Sequence, residues 1–430
     1  MRSSNTMADT ASPLSGGGGM SHTRRMLHSL KPQALRHMQG KLHGAMRAAA
    51  GVLVFAMLGM TAPSAFAAEA ERIDYLSADF AMERVLDWGD RPVWSPDGSK
   101  IAFTKSASED SFAYELNLAN GRVRCLTCRW GANGLVTRIY YLPDGSYLLL
   151  GRTDLSTATS PRGASGTALY WMPASAAMPP QSLNAGAAGE IAIDYKALTD
   201  GGFRVAWGAA DGPIARLIVA DLVHDQRSAV LTNRRVTYSY SYAEPPPPGN
   251  APTTFPETYD FASDGAAVIF WTLEQGSLTS GMYRLGLNSG ALTKLPTDGA
   301  HNEFHLFPDE TFGLEESNRA SDPDGSFRGV SSIPKPAFAD LLKRMGRTNA
   351  LELAEQHAGR SFDIYVRCLE RNRTRRLTFV SDRGGQAHQS SPSRDGRRIV
   401  FALKAPTSGS LAGKSGLYVG TFNARRPRGG

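Results

Sequence analysis

Two pairs of residues far apart in the chain, His301 with His305 and Gln386 with His388, carry side chains that bind metals or move protons. A third group, Glu316, Asn318 and Arg319, adds a carboxylate, an amide and a guanidinium. Imidazoles with oxygen donors form a ligand set for Mn, Fe, Zn or Ca, with positions left open for a substrate. On a substrate that carries a carboxylate, such a metal would neutralise that group and acidify the adjacent C–H. His305 and Arg319 are the candidates for the base. The same side chains also suit a non-catalytic ligand site, in which Glu316, Asn318 and Arg319 hold the ligand. They equally suit a set of strand-end caps and rim ion pairs, each worth about 0–1 kcal/mol if exposed. All three readings stay open on the residues alone.

Only a repeating architecture brings such distant positions together, and the chain has one. Arg91 to Phe103 reads RPVWSPDGSKIAF, an aromatic strand, a Pro-Asp-Gly turn and a second apolar strand. Asp-Gly between apolar runs marks a tight hairpin, because glycine takes positive φ without a Cβ clash. The unit returns at Tyr140–Leu150, Tyr259–Phe270, His305–Leu314 and Ser391–Phe401. After each hairpin comes a second pair of short strands, as in Phe112–Leu118 and Met282–Leu287. Four-stranded units at a period of about 40–50 residues predict propeller blades.

A degenerate third blade falls at Ile191–Thr232, which predicts six blades, with seven as the alternative count. The last blade lacks one strand. Met82–Leu86 precedes the first hairpin and is predicted to complete that blade, closing the ring and removing two exposed edges. His301 and His305 then lie at the start of one innermost strand, and Gln386 and His388 at the start of the next. Glu316, Asn318 and Arg319 end the strand that returns to the same mouth. Residues 319–360 read as an insertion in blade five with two short helices, a length typical of lids. Pro245–Pro248 reads as a stiff linker. The Tyr-rich run from Val236 to Glu244 is a candidate stacking surface for sugar rings or simply a strand.

The Trp94–Gly98 motif, WSPDG, with Ile101-Ala102-Phe103 after it and a partial copy at Leu142–Gly145, resembles the TolB-like propeller family. The resemblance spans Met82 to Phe422 and implies the fold more than a function. A weaker resemblance is to oligogalacturonate-lyase propellers, in which His and Gln side chains at one mouth hold a divalent metal. It implies a metal role for His301, His305, Gln386 and His388. No G-x-S-x-G elbow occurs to support a peptidase reading.

Ala48–Met60 is an uncharged apolar run behind basic residues, followed by Ala65-Phe66-Ala67. This predicts a signal peptide cleaved after Ala67 and a periplasmic or secreted product. The run is short for a bilayer span, so the mature chain is expected to have none. Residues 1–67 form the extension and signal, with residues 1–45 a possible gene-model artefact, and residues 68–425 the propeller. The formal charge of +7 is concentrated at the start, where seven basic residues before Ala48 face one acid, Asp9. The rest is nearly neutral, which argues against a nucleic-acid partner. A protein or an acidic glycan is the expected partner, and a closed propeller is expected to be a monomer. Cys125 and Cys128 form a local disulfide or two plain thiols, and Cys368 is left over.

Overall fold

The computed structural model describes residues 73–105, 111–152, 167–199, 201–211, 214–241, 256–273, 280–297, 301–320 and 362–423. Their strands form six four-stranded antiparallel sheets, the blades of a β-propeller. Five blades take four consecutive strands each. The sixth takes its outermost strand, Asp79–Leu86, from the other end of the chain. That strand pairs with the last one, Gly416–Asn423, placing Arg84 opposite Tyr418. The ring is thus closed by shared strands, as the sequence predicts.

The aspartate of each repeat is what folds the hairpin. Asp97, Asp144, Asp264, Asp309 and Asp395 each accept the backbone N–H two residues on, at 2.8–3.1 Å. This side-chain bond organises the turn locally. The third blade, read as degenerate, closes its turn with the backbone bond that the other turns also make: the N–H of Gly201, at φ 82°, donates to Leu198 O, as that of Gly98 does to Ser95 O.

Blades are buried on both faces, which explains strands such as Tyr147–Arg152, apolar without alternation. One apolar cluster fills each junction. Trp171 and Trp207 lie between blades two and three, Phe270 and Tyr283 with Leu217 between three and four, and Phe304 with Trp271 between four and five. Phe401 and Phe422 with Phe307 join five and six, while Phe103 with Val400 and Ile139 with Ala102 close the circle around blade one. The signature tryptophan adds a polar stitch, donating from Trp94 Nε1 to Ser391 O at 3.1 Å.

Cys125 and Cys128 form a disulfide at the outer edge of blade one, and Cys368 is a buried free thiol. The Tyr-rich run is part of the outermost strand of blade three, Ala229–Ser241, as far as that strand extends. The extension and signal, the proline run, and the helical insertion beyond Ala320 lie outside the described residues.

Candidate functional site

The six innermost strands are Asp90–Trp94, Val136–Tyr141, Ile191–Ala197, Glu257–Phe261, His301–Leu306 and Gln386–Pro392. Each breaks register once against its neighbour. A bulge leaves residues out of the ladder and re-aims their side chains. The residues left out include Arg91, Tyr195, Tyr259, Glu303, Gln389 and Ser390. Arg91 and Gln389 sit there with φ of 53° and 58°, a left-handed backbone that is costly away from glycine.

These bulges supply much of the wall of a cavity of about 370 Å³ at the centre of the ring. It runs from Glu190 and Arg138 to the turn-bearing ends of the innermost strands, including Tyr195, Tyr259, His305 and Arg394. It therefore lies toward the mouth opposite the strand starts to which the sequence assigned the site.

Among the described residues, contacts cross the channel between blades three steps apart in the ring of six. At its heart, Arg138 of blade two is buried, with Nε 2.8 Å from Glu190 Oε2 and Nη2 hydrogen-bonded to Glu303 of blade five. Burial pushes the Glu190 carboxyl up, but Arg138 and then Arg91 more than offset this, leaving it below the usual carboxylate range. At the mouth, the Arg394 guanidinium of blade six lies over the Tyr195 ring of blade three, 3.6 Å from its centroid. Tyr195 Oη donates to Tyr141 O at 3.4 Å. Tyr140 and Tyr259 also donate to carboxylates, those of Glu190 and Glu257.

His305 lines the cavity, with Nδ1 3.2 Å from Asp260 Oδ2 of blade four. Burial pushes its pKa down, but Asp260 and then Glu303 lift it further than that, to above the ordinary imidazole value. His388 is buried instead beside Asp90 of blade one, with Nδ1 3.8 Å from Oδ1. Burial would raise the Asp90 carboxyl, yet His388, Lys404 and Arg91 hold it below its usual range.

The other predicted site residues take separate places. Glu316 is fully buried and accepts the Ser390 N–H at 2.8 Å, tying blade five to blade six. Gln386 starts its strand opposite Lys404, and Asn318 is half-buried just past Ser317. Arg319 folds back on Glu315 and Ser317 and lies 4.2 Å from the Tyr365 ring centroid. Glu315 also accepts Arg367 Nε at 3.0 Å. Of His301 only the backbone is described, paired with Ser317. Among the described residues, no three His, Cys, Asp or Glu side chains form a group that fits a metal. His305 Nδ1 faces Asp260 of blade four and His388 Nδ1 faces Asp90 of blade one.

Sequence reasoning missed Arg138, Glu190, Asp260, Glu303 and Arg394. Their signal is present: a charge inside, or bordering, an otherwise apolar stretch next to a hairpin turn. Arg138 in VTRIYYLPDG and Glu303 in HNEFHLFPDE are examples.

No family model matches the chain, and no curated protein matches it. Solved structures similar to it share the propeller fold. TolB from Acinetobacter baumannii is 12% identical with a TM-score of 0.42, over 76% of this chain and 65% of that one. A putative TolB from Agrobacterium tumefaciens is 11% identical with a TM-score of 0.42, over 81% and 91%. An oligogalacturonate lyase in complex with manganese is 14% identical with a TM-score of 0.41, over 81% and 94%. The chain thus spans 65% of the Acinetobacter protein. At these identities, and with TM-scores below 0.5, the likeness carries no argument, and the fold rests on the six sheets themselves. Among the described residues, no helix is long and apolar enough to cross a membrane.

Proposed function

We propose that this chain is an exported propeller that binds a ligand or protein partner at the mouth of its central channel without transforming it. The observation that carries the reading is the cavity of about 370 Å³, within the size range of small-molecule sites. Tyr140, Tyr195 and Tyr259 supply aromatic wall, and Gln389 and Ser390 supply buried polar atoms. Export rests on the apolar run at Ala48–Met60 and the Ala65-Phe66-Ala67 site, which would start the mature propeller at Ala68. The Cys125–Cys128 disulfide agrees with an oxidising compartment.

The test titrates acidic oligosaccharide, neutral oligosaccharide and peptide pools against the full chain by ligand-observed NMR. Ser263→Trp places a bulky side chain at the cavity wall and serves as the blocked control. A pool that binds the wild type and not the variant supports the reading. If no pool distinguishes them, the reading falls. Export is checked by sequencing the N-terminus of the secreted product, which should begin at Ala68.

A second reading, an enzyme acting on oligogalacturonate, draws on His305, whose orientation by Asp260 suits proton transfer. Its divalent metal would require donors that the described residues do not assemble. Formation of unsaturated uronate that is abolished in His305→Ala would favour this reading over simple binding.

A further inference from the structure

We propose that the Cys125–Cys128 pair is a thiol–disulfide exchange site for low-molecular-weight thiols, with Cys128 as the sulfur attacked and Cys125 as the sulfur released. The pair lies at the outermost strand of blade one, not at the channel, so this redox reaction is independent of binding at the mouth.

The bridge is not what holds its own segment in place. Val123–Cys125 is the outermost strand of blade one, and Cys125 pairs with Tyr114. Between the two sulfurs, the Leu126 N–H donates to Ala113 O at 2.8 Å, and Thr127 Oγ1 accepts the Ala113 N–H at 3.0 Å. Leu126 is 2% exposed and shares an apolar cluster with Ala113 and Ile139, while Thr127 is fully buried. None of these contacts involves sulfur, so both sulfurs keep their places when the bridge opens. A bridge between residues three apart also removes little freedom from the unfolded chain. Its share of the fold's stability is therefore small, and its sulfurs are free to react.

The two sulfurs are not equivalent. Cys128 is exposed and Cys125 is half-buried, so an incoming thiolate reaches Cys128 first. Cys125 Sγ accepts the Cys128 N–H at 3.1 Å, a donor that stabilises negative charge on the sulfur that leaves. Tyr114 Oη is 3.8 Å from Cys128 Sγ and is placed to donate to it. Of the flanking arginines, Arg124 is paired with Glu115, whereas Arg129 lies over the Trp130 ring, 4.4 Å from its centroid, and carries its charge next to Cys128 in the chain. In the reaction, the thiolate sulfur bonds to Cys128 Sγ, the Cys125–Cys128 bond breaks, and the electron pair leaves on Cys125 Sγ. A second thiolate then attacks the sulfur of the bound thiol, forms a disulfide with it and releases Cys128 as a thiolate. Each of the two thiols gives up one electron, the cysteine pair takes up both, and the two thiol protons end on Cys125 and Cys128.

The experiment incubates the folded full chain with excess reduced glutathione at neutral pH, labels it with iodoacetamide before unfolding, and reads peptide masses. The tryptic peptide Cys125–Arg129 should carry a label on both cysteines, while the buried Cys368 carries none. Transfer into oxidised glutathione should restore the bridge. Reduction should lower the melting temperature by less than about 5 °C, because the Leu126 and Thr127 contacts remain. With oxidised glutathione, Cys128 in Cys125→Ser should form a mixed disulfide about tenfold faster than Cys125 does in Cys128→Ser. Should either variant fail to fold, the wild-type measurements still decide whether the pair exchanges. A bridge that glutathione opens only in denaturant is a structural clamp and overturns the proposal, as does a reduced protein that has lost its cooperative melting. Equal rates in the two variants overturn the assignment of Cys128 as the sulfur attacked.

Discussion

Arg138 and Glu303 come from blades two and five, on opposite sides of the ring, and form a hydrogen-bonded ion pair across the channel. Arg138 also faces Glu190 at 2.8 Å, so one guanidinium is shared by two carboxylates, the buried Glu303 and the half-buried Glu190. Removing it strands Glu303, while Glu190 keeps the Tyr140 hydroxyl and the nearby Arg91 charge. Arg138→Ala should lower stability by about 3–5 kcal/mol, the usual result of breaking a buried pair from one side. Glu303→Gln should cost less, because Arg138 keeps Glu190. Urea midpoints for the two variants check the order, and an equal loss would mean that the axial pair is not shared in this way.

His305 gives the fold a pH dependence with a definite sign. Its folded pKa is above the ordinary value, with Asp260 as the chief cause opposing burial. A raised folded pKa contributes stability that is fully present below the unfolded value, near 6.5, and lost as pH rises through the folded value. His305→Gln should therefore lose more stability at pH 6 than at pH 9. Melting temperatures of both proteins across that window provide the check. A constant difference would show that the imidazole is not charged in the fold.

The Arg394–Tyr195 stack bridges the mouth, yet both residues retain exposed surface, Tyr195 at 44%. Exposed cation–π contacts are worth about 0.5–1 kcal/mol. Arg394→Ala should therefore change the urea midpoint little while uncovering the ring. Nitration of Tyr195 by tetranitromethane, read by peptide mass, should speed up severalfold in the variant. An unchanged rate would show that the guanidinium does not shield it.

The blades were legible because their causes are local. An aspartate two residues before a free N–H and a glycine at positive φ make the same turn wherever they occur, and the turn needs no distant partner. The third blade carries that signal too, in Leu198-Thr-Asp-Gly201, hidden by weaker flanking strands. Blade five hides it differently. Glu310 occupies the left-handed position at φ 53°, and its carboxylate reaches Arg284 at 3.1 Å and the Ser263 N–H of blade four. The candidate site was less legible for a physical reason. Sequence position tells which end of a strand a residue occupies, but the bulges decide which side chains leave the ladder and enter the channel. Tyr195, Glu303 and Gln389 owe their places to those bulges. His305 was found, but its partner Asp260 belongs to the neighbouring blade, where nothing in the sequence pairs the two.

Closure of the ring has its own sensitive point. Gly416 opens the last strand at φ 136°, and a Cβ there would lie 2.0 Å from Leu86 O and 2.9 Å from Asp87 Cα. Both are backbone atoms at the end of the closing strand, so neither can turn aside. Gly290, at φ 67° in an outer turn, has open space around it. Gly290→Ala should cost about 1–2 kcal/mol, the price of a left-handed alanine. Gly416→Ala should cost more, because it must also push the closing strand off its partner. Limited proteolysis should then cut Gly416→Ala between residues 79 and 86 well before the wild type. If both glycine variants resist cleavage equally, the Asp79–Leu86 strand does not depend on this close approach.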